Sequence, residues 1–210
     1  IVEYAERCQA SLVCVGPHGR RGPRKVQSRD LTEWILGSTA DRVLRHAACP
    51  VLVASRHDER TAPVLGGTWL VAIDFSAQST HAAKLALELA RACESKLVAL
   101  HVITDPFAQL DPTDEQEPFP PVAGLRQTAL RQKGAELEAF VARELGGFAG
   151  TRLEIGEPSF AIAAAASELN AGLIVMGTHG RTGLSRLFLG SVAERTLRRS
   201  AVPAVCSRSS

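Results

Sequence analysis

Short apolar runs and longer amphipathic segments alternate along the chain from residue 68 onwards. The first run, TWLVAID at 68–74, is apolar and β-branched almost throughout, which is typical of a parallel strand buried on both faces. In the segment 75–95, apolar residues recur at helical spacing behind Ser76 and Ser79, which are both candidate N-caps. The pattern therefore predicts a β-strand followed by an α-helix.

The same alternation continues to the end of the chain. It predicts strands at 96–103, 151–155, 172–176 and 202–207 and helices at 122–145, 159–170 and 191–199. A Pro- and acid-rich segment, 105–121, is predicted to be an exposed loop. Because strands that alternate with helices pair in parallel through right-handed crossovers, we expect an α/β fold with a doubly wound, five-stranded parallel sheet. Such sheets bind ligands beyond the carboxyl ends of their strands.

Part of the chain repeats itself. Residues 1–22 align with residues 162–183 at a constant offset of 161, and residues 36–50 align with residues 189–203 at an offset of 153. The difference of 161 − 153 = 8 residues is an insertion in the first copy. The chain thus holds one complete unit and the second half of an earlier unit.

These copies predict the domain organisation. We expect an incomplete repeat at 1–56, a linker at 57–67 and a complete domain at 68–210. The incomplete repeat has only two predicted strands and two predicted helices in its aligned parts, too little to bury a core of its own. Either upstream sequence completes this repeat, or it packs against a partner.

A loop rich in glycine and hydroxyl residues, VMGTHGRTGLSRLFLGS at 175–191, follows the predicted strand 172–176. Its first glycines allow a positive φ and a close approach of main-chain N–H groups to a ligand; they are Gly177, Gly180 and Gly183. Gly190 and Ser191 begin a helix, whose unpaired N–H groups and positive dipole end suit phosphate, with the Ser191 hydroxyl as an added donor. The alternative is a plain strand–helix connection made of turn-forming residues.

With these motifs in place, residues 69–208 resemble a domain of the universal stress protein family. The spacing Gly177-x-x-Gly180-x₉-Gly190-Ser191 is similar to that of the family's ATP-binding branch, and VAIDFS at 71–76 resembles the family's first strand and turn. The resemblance implies a Rossmann-like fold of the adenine nucleotide alpha hydrolase type. It also implies ATP as the ligand, with ADP or AMP as alternatives, and Mg²⁺ bound with the triphosphate. Residues 1–55 resemble the latter half of such a domain, so the chain resembles a tandem member.

The resemblance implies roles for residues at the strand ends. Asp74 would contact the ribose, Ala72 and Ile73 would line the adenine pocket, and the backbone of Val102 would read the adenine edge. For Asp74 the alternative is capping of the following helix. His101, in the same strand as Val102, is expected to be packed and hydrogen-bonded rather than catalytic.

Further roles fall within the glycine loop. Gly177, Gly180, Gly190 and Ser191 would hold the phosphates. His179 would touch phosphate or orient the loop. Arg181 would neutralise phosphate charge or be an exposed arginine.

The first copy departs from the family pattern. It has Gly16, Gly19, Gly37 and Ser38, but no counterpart of Asp74 or Val102, so we expect no adenine site there. In the family, domains pair through their last strands. We therefore expect 50–55 to pair antiparallel with 203–207 within one chain as a pseudo-dimer, with a homodimer as a further possibility, because an unpaired apolar edge would promote aggregation.

Composition reduces the number of possible partners and cellular locations. The 24 basic and 22 acidic residues give a net charge of +2, and the basic groups near 20–25 and 195–199 lack interleaved aromatic residues, so no nucleic-acid partner is expected. No apolar run approaches the roughly 20 residues of a membrane span and no signal peptide is visible, which predicts a cytoplasmic protein. The five cysteines form no Cys-x-x-Cys pair, so we expect reduced, mostly buried thiols and no metal site.

The pattern of polar residues shows no catalytic constellation. There is no Walker lysine, no Ser/His/Asp arrangement and no pair of carboxylates at a defined spacing. We expect a nucleotide-binding regulatory protein with no catalytic residues and little or no hydrolysis. The alternatives are a scaffold of the same fold with a vestigial pocket and a slow ATPase.

Overall fold

The computed structural model describes residues 1–17, 25–28, 31–34, 36–54, 66–104, 122–178 and 189–208. Its helices there are α1 (Val2–Arg7), α2 (Ser38–His46), α3 (Ala77–Ala92), α4 (Val122–Leu145), α5 (Pro158–Glu168) and α6 (Ser191–Arg199). Its strands there are β1 (Val13–Val15), β2 (Lys25–Ser28), β3 (Leu31–Trp34), β4 (Val51–Val53), β5 (Thr68–Ile73), β6 (Lys96–Ile103), β7 (Ala149–Ile155), β8 (Leu173–Gly177) and β9 (Ala204–Ser207). No helix in these ranges is long and apolar enough to cross a membrane.

The main sheet has seven strands, in the order β1-β4-β9-β8-β5-β6-β7. Strands β5 to β9 are parallel to their neighbours within this group, as predicted for the complete copy. The predicted five-stranded sheet is therefore only part of a larger one, because β4 adds antiparallel to β9 and β1 adds parallel to β4. The strand order reverses between β5 and β8, so the carboxyl ends of these two strands flank the expected ligand position.

The junction between the two copies is the antiparallel pair of β4 and β9. Val51 lies opposite Cys206, Leu52 opposite Val205 and Val53 opposite Ala204. The expected antiparallel pairing of 50–55 with 203–207 is thus observed over these residues. It removes an apolar edge from each copy, which would otherwise be open to pairing with another chain.

The copies share their core as well as their sheet. On one face, apolar residues of α2 pack in one cluster with those of α5 and α6; they include Val43, Leu44, Ile162 and Ala193. On the other face α3 and α4 cover the sheet with residues that include Ala86 and Leu137. Apolar residues of α2 and β4 are therefore buried in the same core as those of α5 and α6.

The structure differs from the sequence prediction in two places outside this core. An antiparallel hairpin of β2 and β3 lies in the region of the insertion; its four-residue strands are too short for a periodic signal. The cysteines are all free, but Cys8 and Cys14 are exposed rather than buried. Cys206 is buried in β9, and this burial raises the pKa of its thiol to about 12.

Candidate functional site

A cavity of about 440 Å³ lies where the strand order reverses, at the carboxyl ends of β5, β6 and β8. Its walls continue onto α4 at Lys133 and onto the first turns of α5 and α6 at Pro158 and Ser191. The volume is in the range of about 300–1,000 Å³ that is usual for small-molecule sites. The cavity thus occupies the ligand position of a doubly wound sheet.

Most of the predicted site residues meet at this cavity. Those that line it are Ala72, Ile73, Asp74, Val102, Gly177, Gly190 and Ser191. The other three, His179, Gly180 and Arg181, lie outside the described residues, as does Gly183. The fold therefore brings the ends of three strands and the start of one helix to a single place.

Asp74 has one carboxylate oxygen engaged and one open. Its Oδ1 accepts hydrogen bonds from the backbone N of Ser76 at 3.0 Å and from the Ser76 hydroxyl at 2.5 Å. Ser76 is the N-cap of α3, since its Oγ accepts a bond from Ser79 N at 3.1 Å. Asp74 thus supports the cap without being the cap. Its Oδ2 has no hydrogen-bond partner within the described part of the chain, so a ligand hydroxyl in the cavity has an acceptor there.

Val102 lies near the carboxyl end of β6 and lines the same cavity. Ile103 directs its own carbonyl to Gly156 N at the end of β7, at 3.0 Å. Because successive carbonyls of a strand point to opposite sides, the Val102 carbonyl faces the β5 side. There β5 ends at Ile73, opposite His101. Near the end of β6, the Val102 carbonyl is therefore a backbone acceptor with no strand continuing beside it.

Gly177 is needed for close packing rather than for a positive φ. Its φ is not among the positive ones, which corrects the expectation from the glycine loop. A Cβ built on Gly177 would lie 3.2 Å from both the carbonyl carbon and the Cβ of Gln78. The end of β8 thus packs directly against the first turn of α3, next to Asp74 and Ser76.

The start of α6 has unpaired backbone donors at the cavity. Gly190 is the N-cap, in an extended conformation with φ −60° and ψ 144°, and no side chain caps the helix. The helical ladder begins with Glu194 N, which donates to Gly190 O at 2.9 Å. Within the described residues the N–H groups of the first three helical residues, 191–193, have no acceptor, and all three residues line the cavity. Together with the helix dipole they form a position that suits an anion.

His101, which the sequence predicts to be packed and hydrogen-bonded, also lines the cavity. It is buried, and its Nδ1 lies 2.7 Å from Ile73 O. Since a carbonyl can only accept, Nδ1 carries the proton of this bond. Burial is the largest effect on the pKa of His101 and lowers it below its ordinary value, so the ring is neutral at pH 7. The nearby Lys133 lowers this pKa further, and the carboxylates of Asp74 and Glu136 oppose the shift.

An ion-pair cluster joins the two helices that border the cavity. Glu157, the N-cap of α5, accepts hydrogen bonds from Phe160 N at 2.9 Å and Ser159 Oγ at 2.6 Å. Its carboxylate also pairs with Arg199 at 2.9 Å and Arg195 at 3.5 Å on α6. Burial raises the pKa of Glu157, but the hydrogen bonds and the Arg199 charge outweigh it and leave the pKa below its ordinary value. This cluster joins the start of α5 to the middle and the C-terminal end of α6.

Lys133 was not predicted at the site. It lies in the middle of α4, its Nζ is 2.5 Å from Glu136 Oε2, and it lines the cavity near His101. The sequence cannot distinguish this lysine from the other charged residues on the outer face of the helix. Only the packing of α4 over β6 brings it to the site.

The profile of the universal stress protein family matches residues 1–55 and 68–208. The chain therefore belongs to the universal stress protein family. A universal stress protein of Methanocaldococcus jannaschii is 34% identical over 138 residues, which cover 64% of this chain and 77% of the relative. A universal stress protein of Mycobacterium tuberculosis is 28% identical over 208 residues, or 96% of this chain and 63% of the relative. The chain thus spans less than two thirds of the mycobacterial protein.

Solved structures have the same fold. A universal stress protein of Archaeoglobus fulgidus matches with a TM-score of 0.59 and 27% identity, over 99% of this chain and 63% of the other. A structure from Pseudomonas aeruginosa, described as a putative universal stress protein, matches with a TM-score of 0.67 and 21% identity, over 99% of this chain and 66% of the other. Both matches extend over the two segments that the family profile matches.

Proposed function

We propose that this protein binds an adenine nucleotide, ATP in the first place, in the cavity at the ends of β5, β6 and β8, and that it acts as a regulatory binding protein. The observation that carries the proposal is that two features that suit parts of a nucleotide lie at one cavity. They are the open Oδ2 of Asp74 and the uncapped start of α6. The first suits a sugar hydroxyl and the second suits a phosphate.

The residues fit each part of the nucleotide. Apolar side chains at the strand ends, among them Ala72, Leu100 and Met176, line the cavity and provide a surface for the base. The Val102 carbonyl is an acceptor for an exocyclic amino group. Asp74 would hold the ribose and the N–H groups of 191–193 would hold the phosphates. We propose that Mg²⁺ enters with the triphosphate, bound to its oxygens, and that ADP and AMP bind more weakly because they have fewer phosphates.

The same residues support binding rather than hydrolysis. Asp74 is committed to Ser76 through Oδ1, and the protonated Nδ1 of His101 is committed to Ile73. In the proposed binding mode both groups would lie at the base and sugar end of the nucleotide, away from the phosphates at the start of α6. A site that holds the nucleotide equally well before and at the transition state does not accelerate its hydrolysis.

We further propose that the pair β4–β9 is an intramolecular form of the domain pairing expected for the family. Beside the strand pair, Arg208 donates to the carbonyl of Arg45 on α2, and the Arg45 guanidinium lies 3.9 Å from Glu194 on α6. These contacts join the incomplete repeat to the last helix and strand of the complete domain. A chain paired in this way has no need of a second copy to cover its β9 edge.

Calorimetric titration of the purified chain with ATP, ADP and AMP, together with a phosphate-release assay, tests the proposal. Saturable binding that weakens from ATP to AMP, with negligible phosphate release, is the expected result. No binding of any nucleotide would favour a scaffold that acts through protein contacts. Rapid phosphate release would make the protein an enzyme.

A further inference from the structure

Phe75 stands in an unusual conformation directly after Asp74. Its φ is +64°, in the left-handed region that a bulky side chain rarely occupies. This bend turns the chain from β5 into α3. Across this bend, Asp74 Oδ1 accepts its hydrogen bonds from Ser76, two residues further along the chain.

Aromatic contacts from two other elements hold Phe75 in place. Its ring centroid lies 4.6 Å from that of His101 on β6, with the planes at 46°. The ring of Phe140 on α4 meets it edge-on at 5.9 Å. Lys133 Nζ, also on α4, lies 5.2 Å from the centre of the Phe75 ring. Such packing can stabilise a backbone conformation that the residue itself disfavours.

His101 contacts the residues on both sides of Asp74. Its Nδ1 donates to the carbonyl of Ile73, and its ring packs against Phe75. One buried side chain thus contacts both the carbonyl that precedes Asp74 and the aromatic ring that follows it. Since Asp74 Oδ1 is held by the backbone N and the hydroxyl of Ser76, the direction of Oδ2 follows from the conformation of the turn 73–76.

On the basis of the proposed nucleotide site, we propose that Phe75 and His101 are positioning residues that aim Asp74 Oδ2 at the ribose hydroxyls and so make the site prefer ribonucleotides to 2′-deoxyribonucleotides. A hydroxyl-to-carboxylate hydrogen bond is directional, so its contribution falls when the carboxylate rotates. The proposed contacts with the base and the phosphates do not involve residues of this turn. Loss of the Phe75 or His101 contacts should therefore reduce the ribose preference more than it reduces overall affinity.

The test compares the dissociation constants of ATP and 2′-deoxy-ATP, by calorimetry, in the full chain and its variants. Phe75→Gly keeps the left-handed conformation accessible and removes the ring. We expect the wild type to prefer ATP by about tenfold and the variant by less than about twofold, with 2′-deoxy-ATP affinity nearly unchanged. Phe148→Gly removes an exposed ring outside the site and is the matched control. It should keep the wild-type ratio.

His101 is tested by a conservative pair. His101→Asn retains a short N–H donor near Ile73 and should keep part of the ribose preference, whereas His101→Leu lacks the donor and should lose it. Phe75→Leu, which keeps an apolar side chain, serves if the glycine variant does not fold, and should have an intermediate ratio. A wild-type ratio near one, or an unchanged ratio in folded Phe75 and His101 variants, would overturn the inference and leave the nucleotide site standing. Absence of ATP binding by the wild type would instead overturn the proposed function.

Discussion

The backbone N of Gly190 donates a hydrogen bond of 2.7 Å to the carbonyl of Thr178. This bond joins the residue after β8 to the N-cap of α6 and so brings the two ends of the glycine loop together. In the incomplete repeat, Gly37 N donates to Pro17 O at 2.8 Å, and Gly37 caps α2 at φ −64° and ψ 146°. The two copies therefore build the same loop closure, although Asp74 and the cavity belong to the complete copy.

Asp74→Asn tests the open carboxylate oxygen. Asparagine retains an Oδ1 acceptor for Ser76, so the start of α3 is preserved and the free energy of unfolding should change by less than about 1 kcal/mol. ATP affinity should fall by about tenfold, because a charged acceptor for a hydroxyl is replaced by an amide group. Calorimetric titration and thermal unfolding measure the two effects. Asp41→Asn, on α2 beside Arg45, is the control and should leave ATP affinity as it is. Equal affinity in the wild type and Asp74→Asn would contradict the assigned role of Asp74.

Gly177→Ala tests the packing of β8 against α3. The added methyl group would lie 3.2 Å from backbone and side-chain atoms of Gln78, so one element must shift. We expect a loss of about 1–3 kcal/mol in the free energy of unfolding, measured by urea denaturation.

Gly134→Ala is the control for Gly177→Ala. Gly134 lies within α4, and the nearest atom to an added Cβ is Leu153 Cδ1 at 3.5 Å, an ordinary contact. Alanine should stabilise the helix by up to about 1 kcal/mol. If both glycine variants changed stability in the same direction, the contact at Gln78 would not explain the need for Gly177.

Several features of the fold could be predicted from the sequence because local signals agree with the tertiary structure. The apolar pattern at 68–74 predicted β5, Ser76 was a candidate for the N-cap that it forms, and the bounds of α4 and α6 are those predicted. The family resemblance, together with two apolar strands that each follow a helix, predicted the β4–β9 pair. These features depend on residues near in sequence or on the comparison of the two copies.

The features that could not be predicted depend on contacts between residues distant in sequence. The need for glycine at 177 arises from contact with Gln78, which lies almost a hundred residues earlier, and not from the positive φ that was expected. Lys133 reaches the cavity only through the packing of α4. The left-handed Phe75 carries no signal, since its ring is held by His101 and Phe140 from other elements. The roles of His179 and Arg181 remain predictions.

The Glu157 cluster predicts a dependence of stability on pH. The folded-state pKa of Glu157 is below its ordinary value of 4.5, so the unfolded chain binds the proton more readily. The stabilisation is present above about pH 4.5 and is lost as the pH falls through the lower folded-state pKa. Glu157→Gln should therefore lower the Tm at about pH 6 and have a smaller effect at about pH 3. A constant difference in Tm across this range would show that the charge of Glu157 does not link α5 to α6.

The central claim is that the uncapped start of α6 holds the phosphates of a nucleotide, and a matched pair of variants tests it most directly. Gly190 and Gly37 cap α6 and α2 with nearly equal φ and ψ, but only Gly190 lines the cavity. Calorimetric titration with ATP should give one site per chain in the wild type and in Gly37→Val, and at least about tenfold weaker binding in Gly190→Val. Equal ATP affinity in the two valine variants would contradict the account.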